Sequence, residues 1–311
     1  MIKKDLWQED KLMQTVSIGI PSYNEANNLR LLLDRIFSDN DEATFKTIEI
    51  IISDDSTDET PNIVQHYLEI KNKCKIRFFH HDHRRGAASA WNEIMSNANG
   101  NVIVMYDADV IPEKNCTSQL VSIIGDKYAL CASNPQPLPG DGIPGRASVF
   151  IGRWLESVRI KQLSQYTVMG RGLALQNHIA KKVKIPPQVI AIDLFLQEAV
   201  LKLGYQVTYN PKATVLFKPA STFEDFSSQI LRANRGHGQV MGLHGKVKYN
   251  LKRKTALMEA IRNIIKDPVG AASLAFSLLI LPYYVLKIKN FDSAIWHTAH
   301  STKNIRQNLP Y

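Results

Sequence analysis

Two common nucleotide-binding motifs and any cysteine framework are missing from this 311-residue chain. Its three cysteines, Cys74, Cys116 and Cys131, are far apart and form no Cys-x-x-Cys pair. This argues against a disulfide scaffold or a zinc site, and indicates reduced thiols in a cytosolic compartment. No Gly-x-Gly-x-x-Gly follows the first predicted strand, and no Gly-x-x-x-x-Gly-Lys-Ser/Thr occurs. A phosphate ligand would therefore have to be held by metal ions and basic side chains rather than by a glycine-rich loop.

Negative charge is also in the minority. The chain has 38 Lys and Arg residues against 29 Asp and Glu residues, so its net charge at pH 7 is +9. This excess favours an anionic partner: a nucleotide phosphate, a nucleic acid or an acidic membrane surface. The 44% of hydrophobic and 22% of charged residues are typical of a globular protein. At this length we expect one large domain, with or without an appendage. Met1 to Gln14 is polar and charged, which predicts no signal peptide.

Short apolar runs alternate with helical patterns through roughly the first 135 residues. The runs are Val16–Ile20, Ile48–Ile52, Ile76–Phe79 and Val102–Tyr106. This alternation predicts an α/β domain whose sheet is mainly parallel and flanked by helices. Ligands of such sheets bind at the carboxyl ends of the strands, so the residues that follow each run are candidates for a site.

All four predicted strands end in polar or charged residues. These residues are Tyr23 and Glu25, Asp54 and Asp55, Arg84 and Arg85, and Asp107 and Asp109. The last pair follows a run of five apolar or aromatic residues, which is typical of a strand covered on both faces. Two carboxylates at the mouth of such a strand need a counter-charge, and a divalent ion that carries phosphate oxygens supplies one. The alternative is a strand end with two solvated aspartates.

The strand ends carry four motifs in a specific order and spacing. They are Ile20-Pro21-Ser22-Tyr23-Asn24-Glu25, Ser53-Asp54-Asp55-Ser56-Thr57-Asp58, Arg85-Gly86-Ala87-Ala88-Ser89-Ala90-Trp91-Asn92 and Asp107-Ala108-Asp109. Together they resemble glycosyltransferase family two, the inverting enzymes that use nucleotide sugars. The resemblance covers about residues 15–240 and implies the GT-A fold, a Rossmann-like, mainly parallel sheet flanked by helices.

The resemblance implies a nucleotide pocket at these strand ends. The residues expected to line it or to bind the nucleotide are Pro21, Tyr23, Glu25, Asp54, Asp55, Arg85 and Asp107. Asp109 is expected to bind a divalent metal, Mn²⁺ or Mg²⁺, beneath the diphosphate, and Asp107 to face the ribose or the metal. The family usually has a lysine after Gly86, where this chain has Ala87, so Arg84 or Arg85 is expected to supply that charge. Helix capping is the alternative role for Asp54 and Asp55.

Further predicted site residues lie beyond the fourth strand. They are Gly172, Asp193, Arg232, Arg235 and His237. By resemblance, Gly172 faces the donor sugar, Asp193 is the general base, the two arginines lie near the diphosphate and His237 completes the metal shell. The alternatives are a tight turn for Gly172, a favourable helix-dipole contact for Asp193, a solvated basic helix for the arginines and a histidine that binds no metal.

Three departures from the family pattern qualify this resemblance. Ala87 replaces the lysine, Ile192 replaces the glutamate that usually precedes the base, and Ala233 replaces a tryptophan that stacks on growing chains in processive polymerases. The last change favours transfer of a single sugar.

The four prolines and three glycines between Asn134 and Gly145 predict irregular structure there, either a connector or a loop over the acceptor.

An uncharged stretch of eighteen residues, Val269 to Leu286, lies near the C-terminal end. It is at the lower limit for a membrane span and contains Pro282, so we expect a peripheral or re-entrant segment on the cytoplasmic face of a membrane. A buried helix is the alternative. A basic run precedes the stretch: Lys246, Lys248, Lys252, Arg253, Lys254, Arg262 and Lys266. We therefore expect a catalytic domain over 1–240, with a nucleotide-sugar half (15–135) and an acceptor half (136–240), and a membrane-associated region over 241–311.

The combined expectation is an enzyme of the hexosyltransferase type. It would move one sugar from a nucleotide diphosphate sugar, taken as a UDP-sugar, to a lipid-linked or membrane-proximal glycan acceptor in cell-envelope synthesis, with no nucleic-acid partner. Two alternatives stay open: a nucleotidyltransferase-like enzyme, and a catalytically silent membrane-bound scaffold with the same fold. The sequence specifies neither the sugar nor the acceptor.

Overall fold

The sheet of this protein contains eight strands. The structure, a computed structural model, describes residues 13–39, 45–70, 74–161, 168–244, 253–287 and 299–309. The strands are β1 (Gln14–Ser22), β2 (Phe45–Asp54), β3 (Lys75–His80), β4 (Val102–Tyr106), β5 (Val110–Pro112), β6 (Tyr128–Pro137), β7 (Gly172–Gln176) and β8 (Gln206–Phe217). Their spatial order is β3-β2-β1-β4-β7-β6-β8-β5.

Helices cover the sheet and extend beyond it. They are α1 (Ala26–Ser38), α2 (Thr60–Glu69), α3 (Ala87–Asn97), α4 (Cys116–Val121), α5 (Gly142–Ile160), α6 (Asn177–Ala180), α7 (Ile192–Lys202), α8 (Phe223–His244), α9 (Arg253–Lys266) and α10 (Pro268–Lys287). Two short 3₁₀ turns, His300–Thr302 and Ile305–Asn308, follow. The predicted sheet flanked by helices is confirmed.

Strand β4 lies near the centre of the sheet, and all five of its residues are buried. It pairs in parallel with β1 on one side and antiparallel with β7 on the other. The four strands β3-β2-β1-β4 are therefore parallel, as predicted, whereas β7 and β5 run antiparallel to their neighbours. The sheet is mixed, because the chain returns to it at Gly172 in the opposite direction.

The proline-rich stretch that the sequence predicted to be irregular is mostly regular, so this prediction was wrong. Strand β6 continues to Pro137 in parallel pairing with β8, and α5 begins at Gly142. The N–H of Leu138 also donates to β8. Backbone N–H groups alternate in direction along a strand, so the nitrogens of positions 135 and 137 point away from β8. Pairing of β6 with β7 ends at Ala132. Pro135 and Pro137 therefore lack an N–H only where no partner strand needs one.

The predicted membrane-associated region contains two helices, α9 and α10. Helix α10 packs on α5 and α8, and the residues that it buries are small: Gly270, Ser273 and Ser277. By length and composition it could cross a membrane, and 17% of its apolar window is buried. Helix α8 runs through position 240, the predicted domain boundary. Lys246, Lys248 and Lys252 lie outside the described residues.

Candidate active site

The turn after β1 is locked to the turn after β2. Asn24 adopts a positive φ of 54°, a conformation that asparagine tolerates better than most residues. Its N–H donates to Ser56 Oγ at 2.7 Å, and its side-chain oxygen accepts from the N–H of Thr57 at 2.8 Å. The N–H of Glu25 donates to Thr60 Oγ1 at 2.9 Å. These bonds hold the motif Pro21 to Glu25 beside the end of β2.

Asp54 and Asp55 are both buried, and both have hydrogen-bond partners in the protein. Asp54 accepts from Ser56 Oγ at 2.5 Å and pairs with His80 Nδ1 at 2.8 Å. Asp55 accepts from the N–H groups of Arg85 and Gly86 at 2.7 and 3.2 Å. Asp55 thereby fixes the loop that leads into α3, whose first turn is preceded by Gly86 at a φ of 89°, where a side chain would be strained.

The guanidinium of Arg85 is held by carboxylates of its own chain. It binds Asp55 Oδ1 at 3.0 Å and Glu93 Oε2 at 3.0 Å, and it donates to Ser53 Oγ at 3.2 Å. These partners occupy the Arg85 guanidinium, and its expected role in place of the lysine missing at Ala87 stays a prediction. Arg84 is better placed, because its guanidinium lies 4.0 Å from the centre of the Tyr23 ring in the predicted pocket.

Asp107 and Asp109 follow β4 and lie in a group of mutually interacting charges. Burial, and then the charge of Asp109, raises the pKa of Asp107 to about 7, while Arg171 and Arg232 act in the opposite direction. Arg171 Nη1 lies 3.8 Å from Asp109 Oδ2. Burial, and then Asp109, also raises the pKa of Glu25 to about 7. The electrostatics thus favour a cation at this point.

Asp193 lies in the first turn of α7, as predicted. Its Oδ2 accepts from the N–H of Gly170 at 3.1 Å, and its Oδ1 accepts from the N–H of Leu194 at 2.9 Å. Its negative charge contributes to the pKa shifts of Asp107 and Arg232. The carboxylate is therefore oriented by two backbone donors and lies in the same electrostatic group as the aspartates after β4.

Helix α8 brings Arg232 and His237 towards this group. Burial, and then the positive charge of Arg171, lowers the pKa of Arg232, while Asp107 and Asp193 act against the shift. Burial lowers the pKa of His237, and the neighbour that opposes this shift is Asp193. Arg235 lies on the exposed side of the helix. The predicted metal role of His237 stays a prediction, and its electrostatic neighbour is Asp193.

Gly172 pairs with Tyr106 at the start of β7. A Cβ atom there would lie 3.0 Å from Ser133 Oγ and 3.1 Å from the Tyr106 ring. Glycine therefore permits the close packing of β7 against β4 and β6, a reason for this residue that differs from the tight turn which the sequence left open. Its contact with a donor sugar stays a prediction.

Two carboxylates after β4 would hold a divalent metal together with oxygens from a ligand or from water. In the described part of the chain, no three His, Cys, Asp or Glu side chains come together as a metal cluster. Mg²⁺ and ions like it often use one or two carboxylates and take the remaining oxygens from substrate phosphates and water. Asp107 and Asp109, whose charges repel each other, fit this mode.

Two residues of the charged group were not singled out from the sequence. Arg171 pairs with Asp109 and also stacks on Phe217, with its guanidinium carbon 3.8 Å from the ring centre. Its position next to Gly172, which the resemblance places at the donor sugar, was the available signal. Lys303 pairs with Glu25 from 278 residues away, and no local pattern marks it.

Known proteins resemble this chain in sequence and in fold. Residues 17–171 match the family model of Glycosyl transferase family 2. The probable glycosyltransferase YdaM of Bacillus subtilis is 25% identical over 271 residues, which cover 81% of this chain and 62% of that protein. The GalNAc(5)-diNAcBac-PP-undecaprenol beta-1,3-glucosyltransferase of Campylobacter jejuni is 26% identical over 118 residues, which cover 38% of this chain and 37% of that protein. The chain thus spans less than two thirds of these relatives.

The fold is similar to that of the mannosyltransferase PcManGT from Pyrobaculum calidifontis, whose structure contains GDP-Man and Mn²⁺. The TM-score is 0.61 at 19% identity, over 89% of this chain and 84% of that chain. The predicted GT-A fold is confirmed. The matched stretch contains the first three strand-end motifs and the two aspartates after β4. Through the domain that carries these motifs, the chain belongs to glycosyltransferase family 2.

Proposed function

We propose that this protein transfers one sugar from a nucleotide diphosphate sugar to an acceptor hydroxyl, with inversion and with help from a divalent metal. The observation that carries the proposal is a group of five side chains that interact electrostatically. Three are carboxylates and two are guanidinium groups: Asp107, Asp109, Asp193, Arg171 and Arg232. Carboxylates suit a metal and a proton, and arginines suit a diphosphate. Family membership supports the same reaction class.

Each residue has a role in the transfer that suits its charge. Asp193, oriented by the N–H groups of Gly170 and Leu194, takes the proton of the acceptor hydroxyl as that oxygen attacks the sugar. Arg171 and Arg232 stabilise the negative charge of the departing nucleoside diphosphate. A metal held by Asp107 and Asp109 would supply further positive charge to the same phosphates. The oxygen of the acceptor then replaces the diphosphate on the sugar carbon.

Thermal unfolding with a panel of nucleotide sugars tests donor binding. We expect one base, among UDP-, GDP- and other diphosphate sugars, to raise the Tm in the presence of Mn²⁺ and much less in EDTA. A ligand at 100 times its Kd stabilises a protein by about 2.7 kcal/mol. A nucleoside triphosphate that releases pyrophosphate in place of sugar transfer would favour a nucleotidyltransferase. The absence of any stabilisation would favour a silent scaffold.

We further propose that the acceptor is lipid-linked. In this proposal α9 and α10 bind the enzyme to the cytoplasmic face of an anionic membrane. One face of α9 exposes five apolar side chains at helical spacing: Leu257, Met258, Ile261, Ile264 and Ile265. Helix α10 buries its small residues and exposes Leu279 and Leu286, at 77% and 81%. Lys254, Arg262 and Lys266 supply the charge that suits anionic headgroups. The Campylobacter relative, whose name includes PP-undecaprenol, supports this acceptor class.

Vesicle sedimentation tests this membrane surface. We expect the protein to pellet with vesicles that contain anionic lipid, and the double variant I265E/L279E to stay largely in the supernatant, because both side chains are more than 70% exposed and carboxylates are repelled by anionic lipid. The matched control is I70E, which changes a 46% exposed isoleucine at the end of α2 and should still pellet. Equal pelleting of the double variant and the wild type would contradict the proposal.

A further inference from the structure

The segment 299–309, which we call the C-terminal segment, packs across the domain beside the nucleotide motif. The side chain of Asn28 in α1 binds it twice: Nδ2 donates to the carbonyl oxygen of Thr302 at 3.1 Å, and Oδ1 accepts from the N–H of Ile305 at 2.8 Å. Ile305 is fully buried in a small cluster with Ile111 and Leu138. The segment is therefore anchored to α1 and to the sheet.

A second set of bonds anchors the same segment to the start of α8 and the end of β8. The N–H of Ser301 donates to Asp225 Oδ2 at 2.8 Å, and Ser301 Oγ accepts from the N–H of Ser221 at 3.1 Å. Lys218 Nζ donates to the carbonyl oxygen of Asn304 at 3.2 Å. Lys303 lies between these anchors, so its backbone is fixed from both sides.

The Lys303 side chain enters the predicted nucleotide pocket. Its Nζ donates to the carbonyl oxygen of Tyr23 at 2.9 Å and to the carboxylate of Glu25. An ammonium group has three N–H donors, and the described residues offer no third acceptor to it. The side chain is 20% exposed, and Glu25 interacts with the predicted metal ligand Asp109. One N–H of Lys303 thus remains for a ligand at the site.

We propose that Lys303 is a donor-binding residue that contacts the diphosphate of the nucleotide sugar. The inference rests on the proposed function, because it names a further contact for the same donor. In the loop before α3 and at its first residue, Arg84 lies over the Tyr23 ring, Arg85 pairs with Asp55 and Glu93, and Ala87 is uncharged. Lys303 supplies a further positive charge beside Tyr23 and Glu25.

The affinities for a nucleoside diphosphate and for the uncharged nucleoside distinguish this role from a purely structural one. Isothermal titration in Mn²⁺ with the wild type identifies the preferred base. We expect K303M to bind the diphosphate roughly tenfold more weakly or worse, because hydrogen bonds to charged groups contribute about 1.5–3 kcal/mol. The affinity for the nucleoside should not change. K303R, which keeps the charge, should restore most of the diphosphate affinity.

The control is R306A, which removes an exposed cation of the same segment and should bind the diphosphate like the wild type. Equal affinities of K303M and the wild type, or equal losses for diphosphate and nucleoside, would overturn the inference and leave the proposed function standing. If the wild type itself binds no nucleoside diphosphate, the proposed function fails, and the inference fails with it. Should K303M not fold, K303Q removes the positive charge while its amide can still donate to the carbonyl oxygen of Tyr23, and the same selective loss of diphosphate affinity is expected.

Discussion

The variant D109N should lose roughly 100- to 1000-fold in sugar transfer, because the metal contributes several kcal/mol to stabilisation of the departing diphosphate. An amide has nearly the shape of the carboxylate but lacks its negative charge. Asp109 is partly exposed and pairs with Arg171 at 3.8 Å, so its loss removes no buried contact and the variant should fold. The measurement is the rate of transfer against Mn²⁺ concentration, with the Tm of the metal-free protein as the check on folding.

The control for this variant is D126N, which neutralises an exposed aspartate outside the charged group. It should transfer sugar at the wild-type rate. Full activity of D109N in the presence of EDTA would exclude a metal at this position, and the role of the Asp107–Asp109 pair would have to be assigned again.

The second large effect is expected for D193N, which should bind the donor normally and lose about 100- to 10,000-fold in transfer, the usual contribution of a general base. The amide oxygen can still accept from the N–H of Gly170 or Leu194, so the start of α7 should keep its structure. Two measurements are needed: the Kd of the nucleotide sugar, and the rate of a single turnover with acceptor present.

The matched variant is E198Q, a buried carboxylate on the same helix. Burial raises the pKa of Glu198, so a neutral amide should be tolerated there and the transfer rate retained. If D193N transfers sugar as fast as E198Q, another group takes the proton. His237, whose pKa is influenced by Asp193, would then be the first residue to test.

Local patterns were sufficient for the first half of the sheet. The five apolar residues of β4 predicted burial on both faces, and the structure buries all of them. Because the carboxyl ends of parallel strands meet at one edge, the position of Glu25 beside Asp109 followed from the strand assignments alone. Composition was misleading in β6, where Pro135 and Pro137 lie on the side of the strand that has no partner.

Contacts between distant segments could not be predicted from the sequence. The pairing of Arg85 with Asp55, which precedes it by 30 residues, depends on how the loop before α3 lies against the end of β2. Lys303 reaches Glu25 only because Asn28 and the buried Ile305 hold the C-terminal segment in place. No spacing rule relates such positions, since the distance along the chain exceeds that of any local motif.

The bonds of Asn28 to Thr302 and Ile305 join positions more than 270 residues apart, which affects the order of folding. Contacts of such long range close a large loop and form late, after helices and neighbouring strands. During synthesis, β1 to β4 emerge and can pair long before the C-terminal segment leaves the ribosome. The nucleotide pocket is therefore completed well after its strand ends have emerged, and a nascent chain that has not yet reached Lys303 carries the acidic strand ends without the lysine that pairs with Glu25.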